Sequence, residues 1–120
     1  MAVILVIDDE EAVRESLYEV LSLTGQKVTM ASNGREGLDR FQEGNYRLVF
    51  TDLAMPEMDG WAVAQAIKEV NPQTRVILVT GWWNQLDEDK LKEHWIDRVV
   101  PKPFTIDQIF QAVSEALEGN

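Results

Sequence analysis

Apolar residues along this chain fall into two patterns that alternate. Short unbroken apolar runs, such as Ala2-Val3-Ile4-Leu5-Val6-Ile7 and Val76-Ile77-Leu78-Val79, carry no polar interruption. Runs of that length, rich in β-branched residues, predict strands buried on both faces. Between them lie stretches where apolar residues recur every three or four positions, the signature of a helix with one buried stripe. Arg47 to Thr51 and Arg75 to Thr80 read as strands like the first. Lys27 to Ala31 alternates, as a short strand nearer an edge does, and Asp97 to Val100 reads as a short last strand.

The helical stretches come with start and stop signals. Val13, Leu17, Val20 and Leu21 stripe the first, and Gly25 follows as its stop. Asn33 and Glu36 form a capping box ahead of Leu38 and Phe41, and Gly44 ends that segment. Asp59 caps a helix striped by Val63, Ile67 and Val70, which Asn71-Pro72 stops. Gly81-Trp82-Trp83-Asn84 reads as a loop. Asp87 then caps a short helix with Glu88 and Asp89 in its first turn, and Leu86 and Leu91 sit at staple positions. Thr105 and Gln108 form a second capping box before Ile106, Ile109, Phe110, Val113 and Leu117. Glu118-Gly119-Asn120 reads as a frayed end. Five strands alternating with five helices predict an α/β fold, a parallel sheet covered on both faces. With the Ala2–Ile7 strand central, the natural strand order is 2-1-3-4-5.

The chain is organised around Leu48-Val49-Phe50-Thr51-Asp52-Leu53-Ala54-Met55-Pro56-Glu57-Met58-Asp59-Gly60. A buried strand there runs straight into a carboxylate. Open α/β sheets place ligand chemistry at that edge. Asp52 could instead cap the next helix, but Asp59 directly precedes that helix and suits the cap better. Because parallel strands share a direction, the residues after each strand meet at one rim. Asp8 and Asp9 follow the first strand, Asp52 the third, Thr80 ends the fourth, and Lys102 follows the fifth. Singly these have ordinary readings: an acidic helix start, a strand threonine, a solvated lysine. Their joint placement is the signal.

Three close carboxylates repel one another and require a cation or protonation. An all-oxygen donor set suits a hard ion, and Mg²⁺ is the best fit. A lysine can neutralise a phosphoryl group there and a hydroxyl can hydrogen-bond to it. A metal-screened carboxylate is a competent nucleophile toward phosphorus. The chemistry reads as Mg²⁺-dependent phosphoryl transfer onto Asp52. His94, the only histidine, lies in the fourth helix away from this rim and reads as a surface residue, so a Ser/His/Asp triad has no support. Glycine-rich phosphate loops are absent.

Bulk properties narrow the class. At 120 residues the chain is expected to form one domain, residues 1–120. A net charge of −10 argues against direct binding to nucleic acid and suits a basic partner or a bound divalent cation. With no cysteine, neither a disulfide nor a thiolate metal site is possible. The longest apolar run is too short to span a bilayer and has no basic leader before it, so a cytoplasmic location with no membrane partner is the expectation.

These residues resemble the receiver domain of two-component response regulators. The carriers are Val6-Ile7-Asp8-Asp9-Glu10, Asp52 through Gly60, Thr80-Gly81 and Lys102-Pro103-Phe104, in that order and spacing. The resemblance covers essentially the whole chain and implies a flavodoxin-like (βα)5 three-layer sandwich. It implies that Asp52 accepts a phosphoryl group from a phosphohistidine on a sensor histidine kinase or histidine phosphotransfer protein. Asp9 would ligate Mg²⁺ directly, Asp8 through water, and the backbone carbonyl of Ala54 would add a ligand beside Asp52. Thr80 would bind the phosphoryl oxygens and move toward them, Lys102 would pair with them, and Lys102-Pro103 would be cis. The output would be a conformational switch at the face of the fourth helix, fifth strand and fifth helix. Homodimerisation on phosphorylation would be possible, and the domain would be no enzyme beyond assisting its own phosphorylation and slow autodephosphorylation.

Two positions depart from the family. Val99 stands where the switch aromatic falls, which implies weaker coupling from Thr80 to the output face. Trp95 stands where the family commonly has glycine, and tryptophan tolerates a positive φ poorly, so a different turn is expected there. Among the four tryptophans, Trp61 suits half-buried packing. Trp82, Trp83 and Trp95 gather around the fourth helix, where exposed aromatics would anchor an interface and buried ones would simply pack. Two other functions compete with the phosphorylation switch. One is an interaction module of the same fold that signals without phosphate, which Val99 and Trp95 motivate. The other is an Mg²⁺-dependent phosphohydrolase with Asp52 as nucleophile, against which stands the lack of a dedicated general base near Ala54.

Overall fold

The computed structural model describes residues 3–118. The strands are β1 (Val3–Ile7), β2 (Lys27–Ala31), β3 (Leu48–Asp52), β4 (Arg75–Thr80) and β5 (Arg98–Pro101). The helices are α1 (Glu11–Ser22), α2 (Gly34–Glu43), α3 (Gly60–Val70), α4 (Glu88–Glu93) and α5 (Ile106–Glu118). A 3₁₀ turn at Trp83–Gln85 occupies part of the expected loop. The sheet is parallel throughout, in the order β2-β1-β3-β4-β5, as the alternation required. β2 and β4 have the expected bounds, whereas β3 and β5 lie one residue later than expected, so β3 takes in Asp52 itself. The expectations for Ala2, Gly119 and Asn120 lie outside the described residues. Glu118, expected in a frayed end, is the last residue of α5.

Strand side chains alternate between two apolar layers, because successive residues point to opposite faces. Leu5, Ile7, Val49 and Leu78 pack with Val63 and Ile67 of α3 and Phe41 of α2. Ile4, Val6, Leu48, Phe50, Ile77 and Val79 pack with Leu17 and Leu21 of α1 and Ile109 and Val113 of α5. Every residue of β3 is buried. Full burial of a large aliphatic or aromatic side chain is worth about 1.5–3 kcal/mol, so the central strands anchor both layers. Asp52 is carried into the structure on that scaffold.

The caps follow the sequence with one displacement. Thr105 and Gln108 exchange backbone-to-side-chain bonds, Thr105 N–H to Gln108 Oε1 at 2.8 Å and Gln108 N–H to Thr105 Oγ1 at 3.1 Å. Asp59 and Asp87 accept from Ala62 and Lys90 N–H groups. Asn33 accepts from Glu36 N–H, but the Glu36 carboxylate reaches past Asn33 to Ser32 N–H at 2.6 Å. Three apolar positions placed in helix stripes face out: Val70, Ile106 and Phe110. Val70 is the last residue of α3 and Ile106 the first of α5, and on α5 Ile109, Ala112 and Val113 take the buried places beside Phe110.

The turn after α4 corrects one expectation. Trp95 does adopt a positive φ, +61°. The helix ends with Trp95 N–H bonded to Lys92 O and Ile96 N–H bonded to Leu91 O. That paired pattern is the glycine-favouring helix stop, and its two hydrogen bonds hold tryptophan in the left-handed region. His94, expected at the surface, is half-buried, its ring 4.9 Å from that of Trp61. Trp61 is itself half-buried as expected, with the Lys90 ammonium 5.5 Å from its ring. Trp82, Trp83 and Trp95 are each about half exposed, the first two before α4 and the third after it. Val99 packs partly buried against the α2–α3 layer. Lys102-Pro103 is cis.

Candidate functional site

Strand register delivers the site. Ile7 pairs with Thr51, Asp52 with Val79, and Thr80 with Pro101. The next residue of β1 is Asp8 and the next after Pro101 is Lys102, so these tips end level with one another. The Asp8 N–H bonds Ala31 O at 3.2 Å, and the Lys102 N–H bonds Thr80 O at 3.0 Å. Each tip is therefore tied to the neighbouring strand or its end.

Asp8, Asp9 and Asp52 each bring a carboxylate oxygen within 4.8 Å of the others. Asp8 and Asp52 are buried and Asp9 is exposed. Lys102 Nζ lies 3.1 Å from Asp8 Oδ2 and 3.1 Å from Asp52 Oδ1, with Glu10 Oε1 at 3.7 Å. Asp52 Oδ1 also accepts from Leu53 N–H at 2.9 Å, so both its hydrogen bonds fall on one oxygen. Asp8 Oδ1 accepts from Glu10 N–H at 2.9 Å. Asp8 Oδ2 touches the lysine only as an ion pair and has no hydrogen-bond partner, although it is buried.

Electrostatics follow from this crowding. Burial pushes the Asp52 carboxyl up to about 6, the negative charge of Asp8 adds to the rise, and Lys102 opposes it. Burial raises Asp8 as well, against the pull of the Glu10 N–H and Lys102. Burial alone would lower Lys102, but the charges of Asp8 and Asp52 outweigh it and hold the ammonium above its ordinary value. One lysine thus bridges two buried carboxylates, and a third carboxylate beside them has no cation of its own.

That donor set fits a hard divalent cation: carboxylate oxygens only, converging, with one buried acceptor left unsatisfied. The Ala54 carbonyl, in the exposed turn two residues past Asp52, accepts no hydrogen bond among the described residues and could add an oxygen. Thr80 is buried at the same rim, and its Oγ1 accepts from Trp82 N–H at 3.0 Å. A hydroxyl that accepts there keeps its own proton to donate.

Gly60 sets how close the next helix comes. A Cβ on it would lie 2.5 Å from the Asp52 carbonyl oxygen and 3.0 Å from Leu53 Cα. Only glycine lets α3 begin against the strand tip, where Gly60 N–H bonds Leu53 O at 2.8 Å. Sequence reasoning missed two neighbours of the site. Glu10 approaches Lys102, and Arg14 Nη1 donates to the Asp8 carbonyl at 2.8 Å. The available signal for Arg14 was its position as the single cation in an otherwise acidic α1.

A family model described as "Response regulator receiver domain" matches residues 4–114. The chain belongs to the response regulator receiver domain family. Receiver domains are signalling domains of two-component systems, phosphorylated by sensor kinases. The chain is 34% identical over 117 residues to the uncharacterized transcriptional regulatory protein YkoG of Bacillus subtilis, covering 98% of this chain and 51% of that protein. It is 32% identical to part of the sensor kinase CckA of Brucella abortus, covering 98% of this chain and 13% of that protein. It therefore spans about half the length of the first relative and a small part of the second. Among solved structures, the response regulator TrrA of Thermotoga maritima, in complex with Mg²⁺-BeF, superposes with a TM-score of 0.86 at 35% identity, over 97% of this chain and 99% of that one. A receiver domain from Clostridium thermocellum gives a TM-score of 0.88 at 30% identity, over 98% of this chain and 95% of that one. Both share the flavodoxin-like arrangement seen here. Among the described residues, no helix of this receiver domain is long and apolar enough to cross a membrane.

Proposed function

We propose that this chain acts as one phosphoacceptor receiver domain of a two-component phosphorelay, taking a phosphoryl group onto Asp52 from a phosphohistidine on a sensor histidine kinase or histidine phosphotransfer protein. The observation that carries this reading is the convergence of the Asp8, Asp9 and Asp52 carboxylates at one rim, with Lys102 bridging Asp8 and Asp52. Asp9, Asp52 and the Ala54 carbonyl would hold Mg²⁺ directly, and Asp8 through water. When bound, Mg²⁺ supplies charge screening that lets an anionic carboxylate approach an anionic phosphoryl group.

The remaining work falls to the chain. With a carboxyl pKa near 6, Asp52 is mostly ionised at neutral pH yet more basic than an ordinary aspartate. Its Oδ2, which takes no hydrogen bond among the described residues, attacks phosphorus in line with the donor nitrogen. The O–P bond forms as the N–P bond breaks, and the electron pair returns to the donor imidazole. Lys102 then exchanges its contact with Asp52 for one with the phosphoryl oxygens, where charge has accumulated. Thr80 donates its hydroxyl proton to the same group.

Signalling follows from differential contact. Thr80 and Lys102 touch the phosphoryl group only in the phosphorylated state, so they bias the protein toward the packing that brings them to it. Both connect to the output side, Thr80 through the Trp82–Trp83 turn into α4 and Lys102 directly from β5. The switch is therefore read on the α4–β5–α5 face, where Val99 gives no large ring to rotate. Phosphorylation could also favour pairing of two copies there. Loss of phosphate would be slow, since the sequence offers no dedicated general base near Ala54.

The test is incubation with acetyl phosphate, with and without Mg²⁺, followed by intact mass. A single phosphoryl adduct that requires Mg²⁺ and disappears in Asp52→Ala supports the reading. Mg²⁺ binding without any adduct would favour an interaction module instead.

A further inference from the structure

We infer that Arg14 is a positioning residue for the cation site, locking the peptide unit that joins Asp8 to Asp9. The inference rests on the Mg²⁺ reading above and assigns the work of arranging that site. Asp8 is fixed by its own contacts: its N–H to Ala31 O, its Oδ1 to Glu10 N–H, its Oδ2 against Lys102. Asp9 has no such restraint. Its carboxylate is exposed and makes no hydrogen bond or ion pair with any described residue. Yet its oxygen stands within 4.8 Å of those of Asp8 and Asp52, against mutual repulsion. Its place depends on the backbone.

The Asp8 carbonyl belongs to the peptide plane between the two aspartates, so its direction sets where Asp9 projects. β1 ends at Ile7, and among the described residues no backbone N–H reaches the Asp8 carbonyl. The Arg14 guanidinium takes that carbonyl at 2.8 Å, while the Arg14 N–H bonds Glu10 O at 2.9 Å in the first turn of α1. One residue thus closes the β1–α1 loop twice, once through its backbone and once through its side chain. A planar guanidinium fixes the acceptor's direction better than a rotating ammonium does. Outer-shell partners of this kind typically matter about 10- to 100-fold in metal affinity.

The two roles open to Arg14 predict opposite signs. As a mere charge, Arg14 repels a divalent cation, and its removal would tighten binding. As a positioning residue, its removal weakens binding although the site becomes more negative. The experiment is calorimetric titration of wild type, Arg14→Met and Arg14→Lys with MgCl₂ alone, beside thermal unfolding of each metal-free protein. Expected is a Kd raised about 10-fold in Arg14→Met and less in Arg14→Lys, at 25 °C where all three are folded. An unchanged or lowered Kd in Arg14→Met overturns the inference. Should Arg14→Met fail to fold, Arg14→Lys decides: it keeps the charge, so a raised Kd supports positioning and an unchanged or lowered Kd overturns it. Absence of Mg²⁺ binding in wild type would instead overturn the cation site itself.

Discussion

The side-chain oxygen of Thr80 accepts a hydrogen bond from the backbone N–H of Trp82 at 3.0 Å. Thr80, proposed to meet the phosphoryl group, is thereby tied to the loop that carries an exposed indole. Trp82 is 55% exposed at the mouth of the rim. The role proposed for its ring is to shield the acyl phosphate from water. Trp82→Ala should speed loss of the phosphoryl group by about two- to ten-fold. Following the decay of the phosphorylated mass after removal of acetyl phosphate measures it. A lifetime unchanged or lengthened defeats the shielding idea.

Titration of Asp52 gives a stability signature with an unusual sign. Its carboxyl pKa is raised from 3.8 to about 6 in the fold. Between those values the native state binds more protons than the unfolded state, so stability falls as pH rises through that window and levels off above it. The shift corresponds to a loss on the order of 2–3 kcal/mol by neutral pH. Urea titrations of the metal-free protein from about pH 4 to pH 7 should show that decline. Asp52→Asn should make the decline shallower, leaving the part that the raised Asp8 carboxyl contributes, and raise stability at pH 7, and Mg²⁺ should do the same for wild type. A decline no steeper in wild type than in Asp52→Asn would contradict the raised Asp52 carboxyl.

Gly60 supplies a steric test of how the site is built. A methyl group there would press on the Asp52 carbonyl oxygen at 2.5 Å. Backbone cannot give way as a side-chain tip can, so Gly60→Ala should cost about 1–3 kcal/mol. The same variant should take up phosphoryl groups from acetyl phosphate more slowly, because the Asp52–Leu53 peptide must move. Denaturation and adduct kinetics at wild-type stability and rate would show that α3 does not bear on the strand tip.

Trp95 offers the converse case, a residue whose replacement should help. It holds φ at +61° at the helix stop after α4, with its indole 48% exposed. Left-handed backbone costs a non-glycine residue roughly 1–2 kcal/mol, and the indole recovers only part of that by packing. Trp95→Gly should therefore raise stability by about 0.5–1 kcal/mol, read as a higher urea midpoint at unchanged slope. A lower midpoint would mean that the packing of the indole outweighs the backbone strain.

Much of this was legible before any coordinates. Uninterrupted runs such as Val76–Val79 can only be strands buried on both faces, and strict alternation then forces a parallel sheet and one common rim. Knowing the rim is enough to bring Asp8, Asp9, Asp52, Thr80 and Lys102 together, because each directly ends or follows a strand. What stayed hidden depends on direction within an element or on contacts between side chains. Periodicity placed Ile106 and Phe110 in a stripe but could not say which flank the sheet leaves uncovered. Local preference opposed a positive φ at Trp95, and two helix-ending hydrogen bonds overrode it. Arg14 reaches the Asp8 carbonyl across a loop, and no spacing rule announces a side chain bound to backbone six residues away.

In the proposed reaction the carboxylate at position 52, and not its acidic neighbours, receives the phosphoryl group. Borohydride reduction converts an aspartyl phosphate to homoserine, which peptide mass spectrometry locates. After treatment with acetyl phosphate and Mg²⁺, homoserine is expected at position 52 and at neither 8 nor 9. Homoserine at Asp8 or Asp9, or an adducted protein with Asp52 unchanged, would rule out Asp52 as the phosphoacceptor.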